Sequence, residues 1–184
     1  MKVPSTIAIS VIAFPFLALA ASVKSGVNAP VITDNQDITY VAHIARDPHS
    51  GIEGVVTVSP GIHNTGVEIR LHFSGLRETS KYLYHIHFQP VPESGDCKGT
   101  AGLLNPYNAQ EDPCNASEPQ TCGVGDLTGK HGFIVADRYG TYSTVYEDKY
   151  LSNQPGSVAF FGNRSVTIHA DDGGRYNCGN FELQ

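Results

Sequence analysis

Apolar residues along this chain fall into short runs, each closed by Gly, Pro, Asn or Asp. Val67-Glu68-Ile69-Arg70-Leu71 alternates apolar with polar, as expected of a strand with one buried face and one wet face. Comparable runs, rich in β-branched and aromatic residues, predict strands over 38–45, 52–58, 67–73, 81–87, 132–137, 141–146, 158–161 and 165–170. That set predicts an all-β fold, an eight-stranded Greek-key β-sandwich or barrel.

Three stretches depart from this rhythm. Residues 7–20 form an apolar stretch behind Lys2, interrupted by Pro15 and ending in Ala18-Leu19-Ala20. A positive charge, a short apolar run and an A-x-A site predict a signal peptide over 1–20. The run is too short to cross a bilayer comfortably, so no membrane span is expected and the product is expected to be secreted and extracellular. Residues 21–36 lack periodicity and read as an extended N-terminal arm, leaving 37–184 as the folded domain. From Phe88 to Lys130 the chain is rich in Pro and Gly and carries no strand pattern, and so reads as one long loop. Loops of that length inside a compact domain are uncommon and usually functional.

Composition narrows the function. The 184 residues carry a net charge of -6, which argues against nucleic acid as a partner. β-branched and aromatic residues throughout the chain argue against disorder. Cys97, Cys114, Cys122 and Cys178 make an even count without a C-x2-C pair, which favours disulfides over a zinc site. Spacing alone leaves three pairings open. A Cys114–Cys122 bridge would staple the long loop locally, and a Cys97–Cys178 bridge would tie it to the end of the chain. Each closure is worth about 2–4 kcal/mol. Asn115-Ala116-Ser117 and Asn163-Arg164-Ser165 are N-glycosylation acceptors, expected on surface loops.

The chemistry concentrates in Tyr84-His85-Ile86-His87. Residues two apart in a strand share a face, so His85 and His87 present both imidazoles in one direction, as two ligands of a transition metal would. Two exposed histidines on a polar strand face would give the same pattern. His169 ends another predicted strand and could approach the same place, with Arg175 and Cys178 shortly after it. Histidines 43, 49, 63, 72 and 131 are isolated in sequence and receive no ligand role.

These stretches, with Leu104-Asn105-Pro106-Tyr107, the run from Val124 to Gly132 and Ser165-Val166-Thr167-Ile168-His169, resemble the copper/zinc superoxide dismutase family. They are most similar to its secreted fungal copper-only branch, and they stand in the family's order across about 95 residues. The resemblance implies a Greek-key barrel, one copper ion held by His85, His87 and His169, and a Cys97–Cys178 disulfide. It implies Arg175 as the charge that draws the superoxide anion in, and Asp126 in a supporting role behind the ligands. No histidine lies between Phe88 and Lys130, so no zinc is expected. A monomer is expected.

Two positions depart from the family. Leu103 stands where relatives carry a histidine, the fourth copper ligand. Gly123 stands where copper-only relatives usually carry a supporting Glu. The expectation is therefore an oxidoreductase, a copper-dependent superoxide dismutase of lowered activity. The alternative is a non-catalytic relative that binds Cu(I) or another ligand through the same histidines.

Overall fold

The computed structural model describes residues 26–78, 80–109 and 114–184; the signal peptide expected over 1–20 lies outside the described residues. Eight strands form one antiparallel sheet that wraps into a nearly closed barrel. In chain order they are β1 (Tyr40–Ile44), β2 (Glu53–Pro60), β3 (Val67–Ser74), β4 (Lys81–His87), β5 (Ile134–Val135), β6 (Tyr142–Asp148), β7 (Ser165–His169) and β8 (Arg175–Leu183). Their spatial order is β5-β4-β7-β8-β1-β2-β3-β6. The Greek-key character lies in β4, which leaves its sequence neighbour β3 and pairs with β7 instead. One short helix, α1 (Leu127–His131), closes the long segment after β4.

Period-two alternation puts the core where the sequence pattern places it. Val67, Ile69, Leu71 and Phe73 of β3 point inward, as do Tyr82, Tyr84 and Ile86 of β4. A fully buried aliphatic or Phe side chain of this kind contributes about 1.5–3 kcal/mol. Because Ile86 faces the core, His85 and His87 face outward together.

Three sequence expectations change. Residues 158–161 form no strand: Ala159, Phe160 and Phe161 are buried in a turn, where both Phe rings pack edge-on against Tyr40. The apolar run there serves ring packing, not a ladder. Conversely β8 is a nine-residue strand that the pattern concealed, because Asn177, Gly179 and Asn180 interrupt its alternation. The segment after Phe88 is not structureless, since it carries 3-10 turns at Cys97–Thr100 and Pro119–Thr121 as well as α1.

That segment also completes the sheet. β5 reaches only Lys81 and Tyr82 of β4, and the loop takes over the rest of that edge. The Thr128 hydroxyl lies 2.6 Å from the Tyr84 amide, whose proton it accepts, and donates to the Tyr84 carbonyl at 3.1 Å. Ile86 donates to Gly125 O and accepts from the Leu104 amide, both at 2.9 Å, while Phe88 donates to Gly102 O at 2.8 Å. Disulfides Cys97–Cys178 and Cys114–Cys122 hold the same segment. The described part of the N-terminal arm is also fastened: Ala29 N donates to Gln120 O at 2.8 Å and Ile32 N to Lys149 O at 2.9 Å.

Candidate metal centre

β4 and β7 run antiparallel with Leu83 opposite His169, His85 opposite Thr167 and His87 opposite Ser165. This register sets His169 diagonally beside His85 on the outward face. One nitrogen from each of His85, His87 and His169 lies within 4.8 Å of the others, and among the described residues no other group of this kind occurs. His87 Nε2 and His169 Nε2 are 3.1 Å apart. Two imidazole nitrogens each about 2 Å from one ion would stand at such a separation, so the donor set fits a transition metal.

Backbone acceptors orient the rings. His87 Nδ1 lies 3.0 Å from Ala101 O and 2.9 Å from Thr100 Oγ1, and His169 Nδ1 lies 3.3 Å from Gly173 O. Carbonyls only accept, so each Nδ1 carries the proton and each Nε2 keeps its lone pair for an ion. His85 Nε2 faces Asp126 Oδ1 at 3.5 Å, which leaves Nδ1 of that ring toward the cluster. Asp126 also caps α1, accepting from Gly129 N at 2.7 Å.

Electrostatics keep His87 and His169 neutral. Burial, with His169, Arg175 and His85 nearby, lowers the His87 pKa to about 3. Burial and the charge of His85 and Arg175 likewise lower His169 to about 4, against a weaker opposing pull from Gly173 O. Neutral imidazole is the form that binds metal.

Arg175 opens β8 and is pinned by the Cys97 turn. Its Nη1 donates to Cys97 O at 2.6 Å, Lys98 O at 3.0 Å and Thr100 Oγ1 at 3.0 Å, and its Nη2 reaches Ala101 O. Arg175, His85, His87, Leu103, Asp126 and Phe133 line an open cleft of about 700 Å³. Leu103 bridges His87 through the backbone, while its neighbour Leu104 is fully buried. Asn115 and Asn163 are exposed, and Ala116, next to Asn115, lines the same cleft.

One cluster escaped the sequence reading. Lys130 and His131, at the C-terminal end of α1, both contact the buried Asp148, with His131 Nε2 2.8 Å from its Oδ2. Lys130 Nζ also donates to Val124 O at 2.7 Å. In the sequence His131 read as an isolated histidine at the end of the long loop, and nothing there pointed to Asp148.

An outer-face cluster of three histidines on a Greek-key barrel, with an arginine and a disulfide-tied loop at its rim, defines a class of metal-binding β-barrel. No protein-family model matches the chain. The chain is 35% identical over 158 residues to cell surface Cu-only superoxide dismutase 5 of Candida albicans, across 85% of its own length and 66% of that protein's. It is 32% identical to a cell surface Cu-only superoxide dismutase of Arthroderma benhamiae, across 91% and 52%. To cell surface superoxide dismutase [Cu-Zn] 4 of Candida albicans it is again 32% identical, across 94% and 69%. The solved Cu(II) form of Candida albicans superoxide dismutase 5 superimposes with a TM-score of 0.73 at 33% identity, covering 81% of this chain and 94% of that one. The chain belongs to the superoxide dismutase family. It spans less than two thirds of the length of the first two of these relatives. Its relatives are cell-surface proteins, and the chain is a secreted, extracellular one.

Proposed function

We propose that the protein is a secreted, copper-dependent superoxide dismutase, with His85, His87 and His169 holding one copper ion and no zinc. The convergence of those three nitrogens within 4.8 Å carries the reading. The Cu-only descriptions of relatives from Candida albicans and Arthroderma benhamiae support it. Copper bound there would supply one-electron exchange, so that 2 superoxide + 2 H+ give O2 + H2O2. The chain's own residues bind and orient. Ala101 O and Gly173 O fix the ring tautomers, Asp126 steadies His85, and Arg175 supplies positive charge at the cleft to draw in the anion against the net charge of -6.

Leu103 lowers the rate in this reading. It offers neither a fourth nitrogen nor a proton donor, and Cu(II) prefers four or five ligands whereas Cu(I) accepts three. The test compares copper-loaded wild type, Leu103→His and His85→Ala in a dismutation assay. Activity abolished by His85→Ala and raised by Leu103→His is expected. Activity no greater than that of free copper in all three proteins would sink the enzyme reading and leave a non-catalytic copper binder.

A further inference from the structure

Leu103 and Gly123 are in contact, and the contact gives Gly123 a reason. A Cβ built on Gly123 would stand 2.5 Å from Leu103 Cδ2, where carbon atoms pack best at about 3.5–4.0 Å. The backbone does not demand glycine there, because Gly123 is not among the residues with positive φ. The nearness of the Leu103 methyl favours it. The Leu103 isobutyl group therefore occupies the place a side chain at 123 would take, and Leu103 also lines the cleft of His85 and His87. Any side chain at 123 must displace the Leu103 side chain.

The polar groups nearby are already engaged. Asn105 uses its amide on Ala109, donating to its carbonyl at 2.8 Å and accepting from its N–H at 2.9 Å. Asp126 holds Gly129 N and faces His85.

We infer that Leu103 and Gly123 form a packing pair that closes the fourth side of the three-histidine cluster with hydrocarbon and biases the site toward Cu(I) over Cu(II). The inference rests on the copper reading above. Cu(I) is satisfied by three imidazoles, whereas Cu(II) seeks a tetragonal field that this wall denies it. Hydrocarbon on that side also lowers the local polarity and favours the ion of lower charge. On this account the two positions change together: a larger residue at 123 is tolerated only when 103 gives way.

The experiment is a double-mutant cycle on the metal-free protein. Cu(I) affinity is read by anaerobic competition with a chromophoric chelator, Cu(II) affinity by electron paramagnetic resonance, and folding by Tm. Gly123→Ala is expected to lower Tm by about 2–4 °C and to weaken Cu(I) binding. Adding Leu103→Ala should abolish most of the loss that Gly123→Ala causes. Leu103→His should tighten Cu(II) by about tenfold or more and change Cu(I) by less than about threefold. If Gly123→Ala gives no folded protein, its recovery by Leu103→Ala supports the pair equally, and failure to recover counts against it. Additive effects overturn the pair. Equal tightening of both ions by Leu103→His overturns the oxidation-state bias. A His85→Ala protein that holds Cu(I) as tightly as wild type overturns the copper reading itself, a result separate from the other two.

Discussion

The five-residue helix α1 joins two regions that treat histidine in opposite ways. At its N-terminal end, Asp126 faces a cluster in which three imidazoles gather beside Arg175, with one carboxylate 3.5 Å from one ring. At its C-terminal end, Lys130 and His131 share the fully buried carboxylate of Asp148. The second region pairs its carboxylate with Lys130 and His131 at once. The first sets His87 Nε2 and His169 Nε2 against each other at 3.1 Å, an arrangement that becomes favourable when a cation arrives. A histidine that shares a carboxylate with a buried lysine is thus a structural residue here, and histidines gathered beside an arginine are the ligand-ready ones.

The largest effect should come from breaking the balanced end. Asp148→Asn leaves the Lys130 ammonium buried without an anion and should cost about 3–5 kcal/mol in chemical denaturation. Adding Lys130→Met should recover most of that loss. Equal destabilisation by the single and double variants would mean that Asp148 acts by packing alone.

A smaller effect should follow at the helix's own contact with β4. Thr128→Val removes the hydroxyl that serves both backbone groups of the buried Tyr84 and should cost about 1–3 kcal/mol. Ser at this position should restore most of it. If Val is tolerated without loss, the hydroxyl does not stand in for a strand.

Acid titration of the metal-free protein should separate the two regions. His87 and His169 have folded pKa values of about 3 and about 4, below the usual 6.5, so the unfolded chain takes up their protons first. Their contribution to stability is complete above about pH 6.5 and is lost as pH falls through those folded values. Burial opposes ionisation of Asp148, but Lys130 and His131 outweigh it and hold its pKa below 3.8. Its contribution is present above that value and is lost only in stronger acid. Denaturation followed from pH 8 to pH 2 should show two declines. His87→Gln should flatten the upper one alone; if it flattens the lower one instead, the assignment fails.

The site was more legible in the sequence than its supports were. The strand period alone set His85 and His87 on one face, and the family's motif order supplied His169, Arg175 and Asp126. The long loop was visible as Pro- and Gly-rich punctuation, and Leu103 and Gly123 stood out only against the family pattern. Their mutual contact depends on how residues twenty positions apart pack, which no periodicity records. Asp148 was hidden for a similar reason: His131 and its partner are 17 residues apart, in different elements. β8 was missed because only Gly179 and Phe181 in it are buried. The run 158–161 misled in the other direction, since burial by aromatic rings looks the same in sequence as burial in a ladder.

The way the loop meets β4 also bears on life outside the cell. β5 is too short to shield its neighbour, so Thr128, Gly125, Leu104 and Gly102 occupy the amide and carbonyl positions from Tyr84 to Phe88. Left bare, that rim would be a template on which a strand from another molecule could add, the first step toward ordered aggregates. By covering it, the segment that carries Leu103 removes that template from a secreted protein.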